Sequence, residues 1–409
     1  MRSVELLLLL LVISAAFPGF YVAAPGKLFY LLAVNLPFFL LYLFHLIFVK
    51  KANQFILPVV ALLTNFGFLN LLQINEKYFF NQLKNLYLAL LLCFLFLVVF
   101  MRAKNIFHYK FTLGLIALIL FLLPLIFGRE IYGARLWVSL ASFSFQPSEL
   151  GRLFFLLFLA GYFGEHHILL KRESELPLDI RFAYLVPALF MSVFSLLLLI
   201  FVKDLGFSLL ILSIFLITLY IATENNVYVL MSTGIFLIGA YLSYNLFQHV
   251  KNRIDIWLNP WSDPFGKSYQ ILQSFFAYAE GGITGTGLGY GFPGLLPAAH
   301  TDMVLPIWAE STGFLGALLM LASIFLLSLL LYYEAGHARN PALKIYIAGT
   351  SFSLFFQTFL VASGTMGILP LTGLTIPFVS YGGSSLTASL LMVESALLFS
   401  GKRNRWIVS

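Results

Sequence analysis

The chain has 409 residues, of which 61% are hydrophobic and only 10% are charged, and its formal net charge is +7. Its mean hydropathy of +0.95 excludes a water-soluble fold and intrinsic disorder, because so few charges cannot cover a globular surface. The single cysteine excludes a disulfide framework, and in a membrane protein the basic excess indicates contact with anionic lipid rather than with nucleic acid.

Twelve apolar runs are long enough, or nearly so, to cross a bilayer, which takes about 20 residues. They lie at 4–24, 28–49, 55–74, 86–101, 111–127, 150–164, 182–201, 205–222, 227–247, 308–333, 343–365 and 383–401. The first run could also be a signal peptide, but a second run follows within a few residues, as in a multi-pass protein. We therefore predict an all-α polytopic membrane protein with about twelve transmembrane helices and one long extracytoplasmic loop.

The distribution of Lys and Arg predicts the orientation of these helices. When Met1 is placed in the cytoplasm and the runs alternate, 14 of the 24 Lys and Arg residues fall on the cytoplasmic side, mostly in short connections. They include Lys50, Lys51, Arg339 and Lys402. The sequence therefore predicts that both termini are cytoplasmic.

Charged residues surround the start of the sixth run. Glu149 and Arg152 are three residues apart and would share one face of a helix. They could form an ion pair that stabilises the helix start. Alternatively, Arg152 and the upstream Arg135 could present guanidinium groups to phosphate. Lys203 and Asp204, between two later runs, look like a second buried pair.

Residues 248–307, here called the outer loop, form the one long connection and are rich in Gly, Pro, Trp, Tyr and Asp. We expect the chemistry of the protein to lie there. Asp263 begins an Asp-Pro-Phe-Gly sequence, which turn formation alone would explain. The glycine-rich stretch 281–291 lacks the strand and lysine of a nucleotide-binding loop, so its glycines are expected to permit tight turns or the close approach of a ligand.

Two carboxylates lie at and beyond the end of the outer loop. Asp302, in the sequence His300-Thr301-Asp302, precedes an apolar run and could simply cap its helix. Alternatively, its carboxylate lies at the membrane surface, where desolvation would raise its pKa and suit it to act as a general base. Glu310 falls inside the run, where a carboxylate should face a cavity or pair with a base.

A broken helix start that is rich in small residues precedes the last run, at 373–385. Such starts can bind phosphate through exposed backbone N–H groups, and Ser384 is the candidate there. Small residues in the last two runs could pack this protein's own helices or the helix of a partner. They are Ala348, Gly349, Ser351, Ser353, Ala388, Ser389 and Ala396.

Several motifs, in order along the chain, resemble those of the SEDS family, to which RodA, FtsW and a sporulation paralogue belong. They are Phe145–Leu150, Asp204–Gly206, Asp263–Gly266 with Tyr269-Gln270 and Gln273-Ser274, His300–Asp302, and Pro377–Leu386. Together they cover roughly 55–401. The chain departs from the family at Arg152, Lys203 and Ser311, where lysine, proline and glutamate are usual.

The resemblance implies a glycosyltransferase that polymerises lipid II into peptidoglycan strands at the outer face of the cytoplasmic membrane. It implies Asp302 as the catalytic base. With the residues discussed above, it gives a set of substrate contacts: Arg135, Glu149, Arg152, Lys203, Asp204, Asp263, His300, Glu310 and Ser384. Arg135 and Arg152 would bind the pyrophosphate. The expected partners are lipid II, nascent glycan and a class B penicillin-binding protein. A divalent cation, Mg²⁺ or Mn²⁺, could assist, but no residue pattern specifies its ligands.

The common family core has ten spans, so the chain is predicted to divide into an additional two-helix extension, 1–54, and a core, 55–401, with the catalytic loop at 248–307. The extension favours an extended RodA-type subgroup, which acts in cell elongation, over a division or sporulation paralogue. Two other functions stay open: a transporter that flips lipid II, and a non-catalytic scaffold for the transpeptidase. Formation of glycan polymer by the purified protein would separate the enzyme from both.

Overall fold

The structure is a computed structural model that describes residues 3–49, 52–102, 106–131, 134–140, 143–171 and 177–401. Eight of the 14 basic residues that carry the orientation prediction lie outside these residues: Arg2, Lys50, Lys51, Lys104, Arg172, Lys402, Arg403 and Arg405.

Fifteen α-helices account for most of the described chain. They are α1 (Ser3–Ala23), α2 (Phe29–Phe48), α3 (Ile56–Ile74), α4 (Glu76–Arg102), α5 (Lys110–Phe127), α6 (Pro147–Leu170), α7 (Leu178–Ala183), α8 (Val186–Phe201), α9 (Leu205–Thr223), α10 (Asn226–Leu246), α11 (Gln248–Leu258), α12 (Tyr269–Gly281), α13 (Val304–Gly336), α14 (Pro341–Thr365) and α15 (Gly383–Gly401). Within the described ranges, ten helical segments are long and apolar enough to cross a membrane, and α8 and α10 contribute shorter apolar helices. Each of the twelve apolar runs overlaps one of these segments, so the prediction of a helical, multi-pass membrane protein is confirmed.

Helix boundaries follow local chemistry at several places. Pro147 opens α6 because its fixed φ suits the first helical position and its missing N–H is not needed there. Asp204 caps α9, since its side chain accepts a hydrogen bond from the N–H of Phe207 at 3.1 Å. The same helix ends at Glu224, which adopts a left-handed conformation with φ of 50°.

Three short strands form an antiparallel sheet that the sequence analysis did not predict. They are β1 (Gly128–Ile131), β2 (Ala134–Leu140) and β3 (Phe143–Phe145), with β2 in the centre. Val138 of β2 pairs with Gly128 on one side and with Phe145 on the other. Strands of three to seven residues beside long apolar runs give too short a pattern to be distinguished from a loop.

The chain divides into two compact units. Unit 1 contains Met1–Phe94, Asn252–Leu330 and Gln357–Leu390, and unit 2 contains Leu95–Lys251, Leu331–Phe356 and Leu391–Ser409. The boundaries therefore fall within α4, α11, α13, α14 and α15. The division into an extension, 1–54, and a core, 55–401, stays a prediction.

Polar side chains within the apolar helices of unit 1 are paired with one another. Glu5 of α1 and His45 of α2 are both buried, with Oε1 and Nδ1 3.0 Å apart. Asn35 and Asn65 exchange two amide hydrogen bonds of 3.1 and 3.0 Å between α2 and α3. Because hydrocarbon offers no hydrogen-bond partners, these pairs fix how the first three helices pack.

The small residues of α14 and α15 are all buried within this chain. Gly349 is one example, because a Cβ there would lie 2.5 Å from the Cδ1 of Leu156 and 3.3 Å from the Cγ2 of Thr218. The structure therefore favours the interpretation that these residues pack the protein's own helices.

Candidate functional site

Asp302 lies in the turn immediately before α13. Its Oδ1 accepts a hydrogen bond from Thr301 Oγ1 at 2.9 Å, and its Oδ2 accepts one from Gln270 Nε2 at 3.3 Å. Among the described residues no N–H of α13 donates to this carboxylate, so helix capping does not explain it. Asp302 is half-buried, and burial raises its pKa above the usual aspartate range, although both hydrogen bonds act in the opposite direction.

An apolar cluster supports this turn from within unit 1. Its members are Ala277, Leu296, Ala299, Met303 and Ile307. Met303 is fully buried and follows Asp302 directly in the chain. The cluster therefore fixes the backbone that carries the carboxylate and contributes to the burial that raises its pKa.

Two tyrosines enclose the ring of His300. Tyr78 of α4 stacks on it with ring centroids 4.2 Å apart and planes at 14°, and Tyr381 meets it edge-on at 5.4 Å. The N–H of Tyr381 also donates to the carbonyl of His300 at 2.8 Å. Burial lowers the pKa of His300, which favours the neutral imidazole, and the contact of His300 with substrate stays a prediction.

The segment that leads into α15 is held against the Asp302 turn. Ser380 Oγ donates to the carbonyl of Thr301 at 2.6 Å. Gln82 of α4 bonds to the same segment twice, donating to the carbonyl of Ser380 at 3.4 Å and accepting from the N–H of Gly382 at 3.2 Å. These contacts explain why two motifs far apart in the sequence belong to one site.

Helix α3 approaches the same segment through Gly67. A Cβ at this position would overlap the carbonyl of Val379, so only glycine permits this distance. The segment then enters α15, whose second residue, Ser384, is half-buried in the first helical turn. The contact of Ser384 with phosphate stays a prediction.

The glycine-rich stretch of the outer loop packs against a kink in α13. Gly313 has φ of 72°, which interrupts the helical hydrogen bonds. Backbone groups released at the kink bond to the loop instead: the carbonyl of Glu310 accepts from the N–H of Thr286 at 2.9 Å, and the N–H of Phe314 donates to the carbonyl of Gly282 at 2.9 Å. The loop thus satisfies polar backbone groups inside an apolar helix.

The side chain of Glu310 secures the end of the same loop. It is buried, and its Oε1 accepts a hydrogen bond from the N–H of Phe292 at 2.8 Å. In the described part of the chain it makes no ion pair, so of the two expected environments, a cavity or a basic partner, the basic partner is not found. Its contact with substrate stays a prediction.

Asp263 lies on the exposed face of the outer loop. Its Oδ2 accepts the N–H of Lys267 at 3.0 Å, and its carbonyl accepts the N–H of Gly266 at 3.3 Å. This arrangement agrees with turn formation, and a substrate contact there stays a prediction.

Arg152 is fully buried in unit 2. Its Nη2 lies 3.1 Å from Glu149 Oε2, its Nη1 donates to Ser353 Oγ at 3.4 Å, and its guanidinium lies over the ring of Phe207 at 5.9 Å. These contacts favour the ion-pair interpretation, because a guanidinium presented to phosphate needs an accessible face. The contacts of Glu149 and Arg152 with substrate stay predictions.

The buried pair predicted for Lys203 and Asp204 is wrong. Asp204 is buried and accepts a further hydrogen bond from Gln146 Nε2 at 3.3 Å, whereas Lys203 is exposed. Lys203 has φ of 68° because the chain turns sharply between α8 and α9. Arg135, on β2, is also exposed. The structure gives no substrate contact for these three residues, and their roles stay predictions.

Two residues near Asp302 were not among the predicted site residues. Gln270 belongs to the Tyr269-Gln270 motif, so its sequence context was sufficient to find it. Arg253 lies on α11, where its Nη1 donates to the carbonyls of Leu371 and Thr372 at 3.1 and 3.2 Å. Burial raises the pKa of Asp302, and the positive charge of Arg253 offsets a small part of this rise. No motif in the sequence marked it.

Within the described residues, no group of three or more His, Cys, Asp and Glu side chains comes together to hold a metal ion. The side chains bonded to the Asp302 carboxylate are the amide of Gln270 and the hydroxyl of Thr301, and both donate hydrogen bonds. Neither adds a second carboxylate that could help to bind a cation. Among the described residues, the surroundings of Asp302 therefore do not form a cation site built from protein ligands alone.

The chain matches the profile of the family FTSW_RODA_SPOVE, described as cell cycle protein, over residues 44–405. It is 34% identical over 371 residues to peptidoglycan glycosyltransferase RodA of Mycobacterium tuberculosis, with 85% of this chain and 77% of that protein covered. It is 31% identical over 306 residues to a probable peptidoglycan glycosyltransferase FtsW of Thiomicrospira cyclica, with 74% and 77% covered.

Solved structures agree with this likeness. A chain from a peptidoglycan synthase complex that coordinates polymerization and crosslinking has a TM-score of 0.72 and 29% identity, over 88% of this chain and 99% of that one. The rod shape determining protein RodA of Thermus thermophilus has a TM-score of 0.62 and 28% identity, over 87% and 98%. The family predicted from the motifs is therefore confirmed: this chain belongs to the FtsW, RodA and SpoVE family of cell cycle proteins.

Proposed function

We propose that this chain is a peptidoglycan glycosyltransferase that polymerises lipid II, with Asp302 as its general base. The enzyme class predicted from the motifs agrees with the names of its RodA and FtsW relatives. The observation that carries the assignment of the base is the geometry of Asp302, a half-buried carboxylate with a raised pKa beside an apolar helix. The RodA-type role in cell elongation is part of the proposal.

The reaction is a single displacement. Asp302 takes the proton from the 4-hydroxyl of the acceptor GlcNAc, and that oxygen forms a bond to the anomeric carbon of the donor sugar. The bond from this carbon to the lipid pyrophosphate breaks, and the pyrophosphate leaves with both electrons. One base and one displacement invert the configuration at the anomeric carbon, by analogy with inverting hydrolases.

The surroundings of Asp302 suit it to this task. Burial raises the pKa of its carboxylate, and a general base with a raised pKa accepts a proton more effectively. Gln270 and Thr301 hold one carboxylate oxygen each, so the carboxylate has a fixed orientation. Such fixed groups lower the barrier because no reorganisation is needed at the moment of reaction.

The proposed orientation places the active site outside the cell. Basic residues in the short connections support cytoplasmic termini in the cytoplasmic membrane, which puts the outer loop and Asp302 at the outer face. Lipid II with its long lipid tail could approach this face from within the bilayer.

The proposed partner is a class B penicillin-binding protein that crosslinks the new strands. A structural relative comes from a complex that coordinates polymerization and crosslinking, which supports this pairing. Because the small residues of α14 and α15 are buried, the partner helix should contact other, lipid-facing helices of this chain.

The test is polymerisation of lipid II by the purified full chain in proteoliposomes, with and without the partner. Asp302→Asn keeps the shape but cannot accept the proton, so we expect a loss of about 10²-fold or more. Glu280→Gln is the matched control, since Glu280 is an exposed carboxylate in the same loop. Turnover by Asp302→Asn equal to that of wild type would remove the base assignment. Movement of lipid II across the bilayer without polymer formation would instead indicate a transporter. Polymer formation by the partner alone would indicate that this chain is a scaffold.

A further inference from the structure

Helix α11 of the outer loop is fastened to the segment that follows α14 by two side chains. Arg253 Nη1 donates to the carbonyls of Leu371 and Thr372, and Trp257, one turn later, donates its indole N–H to the carbonyl of Gly367 at 2.9 Å. All five residues belong to unit 1. The guanidinium of Arg253 is therefore held in one place rather than extended into solvent.

Most of the hydrogen-bonding capacity of Arg253 is unused. A guanidinium has five N–H donors, and the two on Nη1 bind the carbonyls. In the described part of the chain the other three, on Nε and Nη2, make no hydrogen bond, and no carboxylate lies within ion-pair distance. Arg253 is half-buried, so its charge is partly removed from water. A fixed, partly desolvated guanidinium with open donors favours binding of an anion.

The position of Arg253 connects it to Asp302. Leu371, one of its anchors, packs against the apolar cluster that contains Ala299 and Met303, on either side of Asp302 in sequence. The charge of Arg253 acts on the carboxylate of Asp302 without forming an ion pair with it. A base and a separate cation thus belong to one site.

This arrangement matches the needs of the proposed displacement. The acceptor hydroxyl must lie at the base, whereas negative charge builds up on the leaving pyrophosphate, a short distance away. Arg152, which the sequence suggested for this role, is fully buried against Glu149. Arg253 has the accessible donors that Arg152 lacks.

We propose that Arg253 binds the diphosphate of the lipid-linked sugar donor at the Asp302 site. The proposal rests on the proposed function, because that function supplies the diphosphate. Lysine in its place would keep the charge but lose the two-pronged geometry by which a guanidinium holds phosphate oxygens.

Binding is measured without turnover, with undecaprenyl diphosphate titrated into the full chain in detergent micelles by calorimetry. We expect Arg253→Gln to raise Kd by about 10-fold or more, as for the loss of a charged hydrogen bond, and Arg253→Lys to raise it less. Lys251→Gln removes an exposed positive charge from the same helix and should leave Kd unchanged. Equal Kd values for wild type and Arg253→Gln would overturn the proposal. Because this readout needs no polymer, it is separate from the test of the glycosyltransferase activity.

Two further measurements separate binding from indirect roles. Trp257→Phe removes the other tether of α11 and no charge, so a similar loss of binding in this variant would show that Arg253 acts only by holding the loop. In the polymerisation assay, Arg253→Gln should raise the KM for lipid II. A variant with unchanged KM and diphosphate binding, but with the acid limb of its pH profile moved, would show that Arg253 acts only on Asp302 and would overturn the proposal.

Discussion

The rings of Tyr78 and His300 are stacked with their centroids 4.2 Å apart, which joins α4 to the outer loop two residues from Asp302. The carboxylate of Glu76, at the start of α4, contacts Lys27 Nζ at 2.6 Å and the hydroxyl of Tyr30. The connection between α1 and α2 and the start of α2 are therefore linked through α4 to the turn that carries the proposed base.

Removal of this stack should lower the rate more than it weakens substrate binding. Tyr78→Ala removes an aromatic contact worth about 0.5–1.5 kcal/mol, so we expect kcat to fall about 2- to 12-fold with little change in KM. Tyr78→Phe keeps the stack and should behave as wild type. Polymerisation kinetics over a range of lipid II concentrations give both parameters, and equal kcat for Ala and Phe would show that the stack does not position His300.

If Asp302 is the proposed general base, its raised pKa should set the acid limit of activity. A general base must be ionised, so activity is lost as the pH falls through its pKa. Burial places that pKa above the ordinary 3.8 of aspartate. We expect the acid limb of kcat/KM against pH to lie above this value in wild type, and Glu280→Gln to leave the limb in place. A limb at or below 3.8 would contradict burial of the carboxylate in the working enzyme.

The outer loop that packs on the kink of α13 should tolerate alanine at Gly294 but not at Gly285. Gly285 has φ of 83°, and a Cβ there would overlap the carbonyl of Ser311, so Gly285→Ala should lower both Tm and activity. Gly294 has open space around its Cβ position and no positive φ, so Gly294→Ala is the matched control. Thermal unfolding monitored by size-exclusion chromatography gives the comparison. Equal Tm values would mean that the loop does not stabilise the kink.

The orientation can be tested with single cysteines. In a Cys93→Ala background, Lys267→Cys should react with an impermeant maleimide added outside, and Arg339→Cys only after the membrane is opened. Both positions are exposed, whereas Cys93 is buried. Labelling of position 267 from the cytoplasmic side alone would invert the topology and separate Asp302 from the outer face.

The helices were predictable because each apolar run has the length and composition that a bilayer requires. The contents of the outer loop were not, because α11 and α12 are short and amphipathic and follow no membrane-spanning pattern. The position of Arg253 depends on carbonyls more than a hundred residues away, which no local pattern records. Sequence proximity was misleading for Lys203, because a sharp turn separates its environment from that of Asp204.

The buried contact between Glu5 and His45 has a consequence for biogenesis. When α1 leaves the ribosome, Glu5 has yet to meet its partner on α2, and a carboxylate in hydrocarbon is costly until it is paired. We therefore expect the first two helices to be released into the bilayer together, as a hairpin, rather than one after the other. A pulse–chase experiment on His45→Leu should then show loss of newly made chains within minutes, and chains as long-lived as wild type would contradict paired release.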